Sequence, residues 1–189
     1  MKAVIIGCGR VGATIAATLD AAGHEVIILD VRPAAFDRLP HTFHGSAVRG
    51  DGTDEDVLRR AGAESADVVL AMTEGDNRNV IATQLAVEAL GARQVVAKIN
   101  DPVRAVAYAD LGLATVCRTS LQADAVLAHL GFPVSGMPDV LTPRDNHAGG
   151  ERHEGPAAST GGSPPTGTPT SGSSSQQQPG GGPVVAREA

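Results

Sequence analysis

Cysteine and aromatic residues are scarce in this chain of 189 residues, which has two Cys, one Tyr, three Phe and no Trp. The two cysteines, Cys8 and Cys117, lie far apart and have no histidine pattern nearby. The sequence therefore favours neither a disulfide framework nor a zinc site, and we expect no metal and a reducing cytosolic environment. No stretch approaches the ~20 apolar residues of a membrane-spanning helix, and we expect no signal peptide because glycine follows four apolar residues.

Basic residues are also in deficit. The chain has 15 Lys and Arg against 21 Asp and Glu, a formal net charge of −6. It therefore lacks both a basic face for phosphate backbones and a set of aromatic side chains on which bases can stack. The composition argues against a nucleic-acid partner.

Residues 143–189 differ in composition from the rest of the chain. Glycine and proline make up 17 of these 47 residues, and Val184 and Val185 are their only Val, Ile, Leu or Phe residues. Such a segment buries too little apolar surface to offset its conformational entropy. We therefore expect one globular domain, residues 1–142, followed by a disordered low-complexity tail, 143–189, that takes no part in binding.

Residues 1–142 alternate between short apolar runs and longer segments with helical spacing, which is typical of a parallel sheet covered by helices. With a glycine motif after the first strand, this predicts an α/β, doubly wound, Rossmann-type sheet of six parallel strands in the order 3-2-1-4-5-6. The predicted strands are Ala3–Ile6, Glu25–Leu29, Ser46–Arg49, Asp67–Met72, Gln94–Ile99 and Ala114–Cys117.

The helical segments carry their own signals. Thr53 and Thr119 are predicted to cap two helices, because each has an acid or amide three residues on. In the first helix the spacing of apolar residues predicts one buried face, made of Val11, Ile15, Leu19 and Ala22. Four helices are predicted to end at glycines: Gly23, Gly62, Gly91 and Gly112.

A G-x-G-x-x-G motif follows the first predicted strand and opens the first helix. Its residues are Gly7, Cys8, Gly9, Arg10, Val11 and Gly12. Such a motif binds a pyrophosphate: the first glycine makes the turn, the second lets the backbone approach the ligand, and the third lets helix and strand pack closely. The helix N-terminus adds free N–H groups and a positive dipole end. The alternative is a glycine turn that binds nothing.

Asp30 ends the second predicted strand, 18 residues after Gly12, near the expected position of an acidic ribose partner. A carboxylate there repels a 2′-phosphate, so NAD(H), or an adenine nucleotide with a free ribose, is favoured over NADP(H). Arg32 weakens this discrimination unless it is a solvated loop residue. Arg10 is either a phosphate donor or a surface arginine, and Cys8 is interpreted as a small residue that points into the sheet.

Several further motifs recur in order with the spacing of one known family. They are Gly50-Asp51-Gly52-Thr53-Asp54, Ala61–Asp67, Met72-Thr73-Glu74-Gly75-Asp76-Asn77-Arg78-Asn79, Ala97–Pro102 and Leu111-Gly112. Together with the glycine motif they resemble the TrkA-N, or regulator-of-potassium-conductance, domain of Trk and Ktr potassium uptake systems. The resemblance covers nearly all of residues 1–142.

The resemblance implies a cytoplasmic regulatory subunit that binds NAD(H) or ATP/ADP and gates potassium flux. Such a subunit lies at the inner face of the plasma membrane, against a potassium-translocating membrane subunit. The resemblance also implies roles for individual residues. The glycines and Arg10 would hold phosphates and Asp30 the ribose. Asp51 and Gly52 would flank the adenine, Thr73 would face the distal phosphate or second ribose, and Asp76, Asn79 and Lys98 would line the far end of the cleft. Val31 and Arg32, which follow Asp30, are also predicted to bind the cofactor.

Each of the later positions also has a plain structural alternative. Asp76 and Asn79 can cap the following helix instead of touching ligand. Asp51 can be a turn residue before Thr53, and Lys98 can be a solvated lysine at a strand end.

Members of the family that this chain resembles usually continue after the last helix of the domain into a second small lobe. Here only a short apolar stretch lies between that helix and the low-complexity tail. The predicted helix Ser120–Leu130 is apolar on two sides, of which one sheet covers only one. We therefore expect a homo-oligomer, a dimer or a ring of dimers, that uses this helix.

Three functions remain open: a ligand-gated regulator without chemistry, an NAD-dependent oxidoreductase, and a degenerate copy that assembles with a full-length paralogue. An oxidoreductase needs an acid or base placed against a substrate, usually from another domain. Tyr108 has no Lys four residues on, and the histidines show no paired spacing. The sequence therefore favours regulation and no enzymatic activity.

Overall fold

The computed structural model describes residues 1–142; the predictions for the tail, 143–189, lie outside the described residues. Six parallel strands form one sheet in the order β3-β2-β1-β4-β5-β6. The predicted doubly wound α/β fold is confirmed. The strands are β1 Lys2–Ile6, β2 Glu25–Asp30, β3 Ser46–Arg49, β4 Val68–Ala71, β5 Val95–Ile99 and β6 Thr115–Cys117.

Five α-helices and two short 3₁₀ helices connect and follow these strands within residues 1–142. The α-helices are α1 Arg10–Ala21, α2 Glu55–Arg60, α3 Asp76–Glu88, α4 Pro102–Asp110 and α5 Arg118–His129. The 3₁₀ helices are Pro33–Arg38 and Ala63–Ser65. In this part of the chain no helix combines the length and the apolar character needed to cross a bilayer.

The central strands β1 and β2 bury both faces, as their apolar composition predicts, whereas the edge strand β3 is largely exposed. Val4 and Ile6 of β1 point into one core, which also holds Leu58 of α2. Ile5, between them, points into the other core with Ala13 and Ala16 of α1. Because side chains alternate along a strand, one continuous apolar run supplies both cores.

The predicted buried face of α1 is half right: Ile15 and Leu19 are partly buried against the second core, as predicted, but Val11 and Ala22 are not. Val11 is 44% exposed and Ala22 is exposed, whereas Gly12, Ala13 and Ala16 are the buried residues of the helix. Gly12, Ala13 and Ala16 make the closest contacts because small side chains let the helix axis approach the strands, and Ile15 and Leu19 pack beside them. Val11, in the first turn, is left at the open edge of the sheet.

Both predicted threonine caps are also wrong. Asp54 caps α2, and its side chain accepts hydrogen bonds from the backbone N–H groups of Asp56 and Val57. Thr53 instead donates to the Asp51 carboxylate, a strong charged acceptor two residues earlier. The last helix begins at Arg118, so Thr119 lies inside its first turn and donates to the Asn100 carbonyl oxygen at 2.6 Å.

The predicted helix ends are confirmed. A glycine with positive φ follows each of the first four α-helices: Gly23, Gly62, Gly91 and Gly112. Glycine is favoured there because L side chains rarely adopt this backbone conformation.

The last helix, α5, is the least covered element of the domain. None of its residues is buried, and Val126 and Leu130 are 58% and 60% exposed. Leu121 and Leu127 on its inner side are only partly buried. An apolar face of this kind is typical of a contact surface, and the subunit contact stays a prediction.

We expect Gly12→Ala to lower the free energy of unfolding by about 2–3 kcal/mol. A Cβ at Gly12 would lie 2.0 Å from the Gly7 carbonyl oxygen, which is backbone and cannot rotate away. Urea denaturation followed by circular dichroism measures the change.

The matched control is Gly9→Ala. A Cβ there meets only the far end of the Glu74 side chain, at 4.0 Å. Its stability should stay within about 1 kcal/mol of the parent. Equal losses in the two variants would contradict the assignment of the clash to Gly12.

Candidate functional site: a cleft at the carboxyl edge of the sheet

A cleft of about 810 Å³ opens where β1 to β5 end. This is the edge at which doubly wound sheets bind ligands, at the point where the strand order reverses between β1 and β4. Eleven of the fifteen predicted site residues line it: Gly7, Gly9, Arg10, Val11, Asp30, Val31, Arg32, Asp51, Gly52, Thr73 and Lys98. Cys8, Gly12, Asp76 and Asn79 lie outside the lining.

The three motif glycines have different reasons to be glycine. Gly7 has φ +101°, and a Cβ on it would lie 2.9 Å from the Thr73 nitrogen. Gly12 packs against the Gly7 carbonyl. Gly9 has ordinary extended backbone, and a Cβ there would stand in the open cleft. The fold therefore needs the first and third glycines, whereas the second leaves room for something outside the protein.

The N-terminus of α1 faces the same space. Gly9 occupies the cap position, and within the described residues no side chain caps this end. The first intrahelical bond runs from the Ala13 nitrogen to the Gly9 carbonyl oxygen. The N–H groups of the first turn, from Arg10 onward, are thus available to a ligand, and the helix dipole favours an anion.

Asp30 ends β2 beside the glycine turn and is 9% exposed. Its Oδ2 accepts a hydrogen bond from the Cys8 nitrogen at 2.9 Å, and its Oδ1 accepts one from the Arg32 nitrogen at 2.9 Å. The Arg32 Nε lies 3.8 Å from the same Oδ1. A carboxylate has about four acceptor positions, so Asp30 is oriented by two backbone bonds and can still accept from ribose hydroxyls.

Asp51 and Gly52 follow β3 on the far side of Asp30. The Thr53 backbone N–H, 3.0 Å from Asp51 Oδ1, is the largest cause that lowers the pKa of Asp51, so this group is anionic at neutral pH. A Cβ at Gly52 would lie 2.2 Å from Cγ2 of Ile6, so packing requires glycine there. The bond to Thr53 is the one expected if Asp51 is a turn residue. Asp51 also lines the cleft, so it is in position to contact a ligand as well.

Asp76 and Asn79 form hydrogen bonds with the backbone behind the cleft. Asn79 is fully buried; its Oδ1 accepts from the Thr73 N–H at 2.9 Å, and its Nδ2 donates to the Lys98 carbonyl oxygen at 2.7 Å. Asp76 accepts from the Asn100 N–H at 2.9 Å. Neither side chain caps α3, whose cap is Gly75. The two residues join the ends of β4 and β5 and thereby position Thr73 and Lys98.

Cationic side chains are concentrated in the cleft. It is lined by six Lys or Arg residues but only three acidic ones, although acidic residues outnumber basic ones in the whole chain. The six are Arg10, Arg32, Arg38, Arg78, Lys98 and Arg118. A positive surplus between low-dielectric walls attracts anionic ligands.

Sequence reasoning missed four charged lining residues: Arg38, Glu74, Arg78 and Arg118. For Glu74 and Arg118 a signal was present, because each follows shortly after a strand that ends at this edge. Arg38 and Arg78 lie on helical segments several residues past a strand, and only the tertiary fold brings them to the cleft.

Cys8 is fully buried under the glycine turn, as its interpretation as a small inward-facing residue predicts. Burial raises the pKa of its thiol, with a further contribution from the nearby Asp30 carboxylate. Thiolate is the nucleophilic form, so this cysteine is unsuited to redox or nucleophilic chemistry.

Comparisons with known proteins find that the chain is similar to potassium uptake proteins. The Trk system potassium uptake protein TrkA of Streptomyces coelicolor is 45% identical over 130 residues, 69% of this chain and 58% of its own length. The TrkA homologue of Pyrococcus abyssi is 31% identical over 102 residues, 54% of this chain and 45% of its own. The chain thus spans about half the length of these relatives.

A solved structure of GsuK bound to ADP superposes with a TM-score of 0.57 and 27% identity, covering 68% of this chain and 33% of that one. The TrkA-N domain family matches residues 3–119, more than half of the chain. Together with the sheet order and the glycine cleft, this match shows that the chain belongs to the TrkA-N domain family.

Proposed function

We propose that this domain binds NAD(H) or ATP/ADP in the glycine cleft and regulates potassium flux without chemistry of its own. The observation that carries the proposal is the space at Gly9, bordered by an uncapped helix N-terminus and the oriented carboxylate of Asp30. A pyrophosphate matches the first feature and a ribose the second. The binding of ADP by GsuK, which shares this fold, supports a nucleotide with a free ribose.

Each candidate residue keeps a proposed role, either in the lining of this cleft or in the structure behind it. Arg10, Val11 and the glycine turn hold the phosphates, and Asp30, with Val31 and Arg32, holds the ribose. Asp51 and Gly52 flank the adenine, and Thr73 and Lys98 face the distal part of the ligand. Asp76 and Asn79 act through the hydrogen bonds that position those last two residues, and Gly12 and Cys8 act through the packing of the turn.

The proposed partner is the potassium-translocating membrane subunit of a Trk- or Ktr-type system, contacted from the cytoplasmic side. The names of the relatives support this partner. The proposed assembly is a dimer or a ring of dimers, supported by the exposed apolar residues of α5. Nucleotide exchange gates flux if the two ligands favour different arrangements of the assembly.

Asp30→Ala should weaken NADH and ADP binding about five- to 150-fold, because two ribose hydroxyls lose a charged acceptor worth about 1–3 kcal/mol. Gly9→Ala should also weaken binding, since its Cβ enters the space proposed for the pyrophosphate. Calorimetric titration with NADH, NAD, ATP and ADP measures both effects.

The matched control is Asp37→Ala, which removes an exposed carboxylate seven residues away, outside the cleft lining. Asp30→Asn keeps the shape of the side chain and separates loss of charge from loss of fold. Parent-like affinity in both Asp30 variants would show that another group holds the ribose.

Regulation without turnover predicts that bound NADH stays chemically intact. When physiological aldehydes or ketones are added, the absorbance of the NADH nicotinamide band should decay no faster with the protein than without it. Sustained protein-dependent oxidation would instead establish the oxidoreductase alternative.

The subunit contact is tested by Val126→Glu, which places a charge on the exposed face of α5. Burying an unpaired carboxylate costs several kcal/mol, so the variant should shift to the monomer mass in light scattering while its circular dichroism stays unchanged. Glu88→Gln, an exposed substitution on α3, is the control. If the variant keeps the parent mass, the subunit contact lies elsewhere. If the parent protein is itself a monomer, the proposed contact does not exist.

A further inference from the structure

Glu74 reaches into the cleft from the loop after β4. Its side chain is 76% exposed, yet its carboxylate bridges two cations. Oε1 lies 3.3 Å from Nζ of Lys98, and Oε2 lies 3.7 Å from a terminal guanidinium nitrogen of Arg118. Its own carbonyl oxygen accepts a hydrogen bond from Nδ2 of Asn100 at 3.2 Å, which fixes the main chain beneath it.

The carboxylate stands beside the space at Gly9. Oε1 is 4.0 Å from the position that a Cβ on Gly9 would occupy, nearer than any other described atom outside Gly9 and its two chain neighbours. This is the position at which a G-x-G-x-x-G backbone approaches a pyrophosphate. The carboxylate of Glu74 therefore lies next to the position proposed for the phosphates of the ligand.

Lys98 shows why an anion is needed at that point. It is 3% exposed, and a buried ammonium group requires a hydrogen-bonding counter-charge. Within residues 1–142, the Glu74 carboxylate is the acceptor in contact with its Nζ. A phosphate oxygen has the same charge and accepting capacity, and so can replace the carboxylate.

Glu74 can also move aside without unfolding. Its side chain is 76% exposed, so a rotation about its side-chain bonds takes the carboxylate off Lys98, but the charge stays beside the cleft and still repels further phosphate groups. Lys98, by contrast, is held by the strand. The cation is thus the fixed partner and Glu74 the exchangeable one.

We propose that Glu74 is an internal anion that takes the phosphate position whenever no nucleotide is bound and sets which nucleotide the cleft prefers. It neutralises Lys98 and Arg118 and repels added negative charge, so it weakens binding more for each additional phosphate. The inference deepens the proposed function and rests on it. The cleft of the parent protein accordingly disfavours a triphosphate relative to ligands with fewer phosphate charges.

The test compares the full chain with Glu74→Gln and Glu74→Ala by calorimetry, with adenosine, AMP, ADP and ATP as ligands and a chelator to remove divalent cations. Both variants should bind ATP about tenfold more tightly than the parent, ADP less than tenfold more tightly, and adenosine equally. The gain should shrink at high salt, because the repulsion is electrostatic.

The matched control is Glu88→Gln, which changes the net charge by the same amount on the exposed end of α3 and should leave every affinity within about twofold of the parent. Unchanged or weakened ATP binding in both Glu74 variants, or an equal gain for adenosine, would overturn the inference while leaving nucleotide binding intact. If neither the parent nor the variants bind any of the four ligands, the proposed function itself fails and this inference fails with it.

Discussion

The close contact between Gly12 and the Gly7 carbonyl determines where the rest of the cleft lies. Because Gly12 has no side chain, the first turn of α1 packs directly on the turn that follows β1. The same turn is tied to β2 by the bond from the Cys8 nitrogen to Asp30, and it lies against the Thr73 backbone after β4. One glycine contact thus brings the ends of three strands to one helix N-terminus.

The polar residues at this edge divide their roles in a way that leaves positive charge facing the cleft. Asn79 and Asp76 use their hydrogen bonds on the loops after β4 and β5, and Asp51 accepts from Thr53. Acidic and amide side chains therefore hold the walls together, whereas arginines remain at the surface of the cavity. A protein with a net negative charge can present an anion-binding site in this way. Its carboxylate and amide acceptors form hydrogen bonds within the walls of the cleft, and its arginine side chains face the ligand.

Local sequence signals predicted those features that local chemistry controls. Strand positions, strand order, the glycine turn and the place of Asp30 all follow from apolar runs and glycine spacing over short distances. The buried face of α1 was predicted only in part. Periodicity weighs large apolar residues and identified Ile15 and Leu19, whereas the most buried residues of the helix are Gly12, Ala13 and Ala16. The cap at Thr53 failed because its hydroxyl donates to Asp51 and Asp54 caps α2 instead. The cap at Thr119 failed because its hydroxyl donates to Asn100, which only the tertiary fold brings near.

The internal anion and the exposed apolar face belong to one element. Arg118, which pairs with Glu74, is the first residue of α5, and Val126 lies eight residues farther along the same helix, about 12 Å away. A helix of this length moves as one body, so a contact that shifts Arg118 also shifts the apolar face. A ligand changes an assembly only through contacts that differ between its two states. Exchange of the Glu74 carboxylate for a phosphate supplies such a difference at the base of the helix that carries the proposed subunit contact.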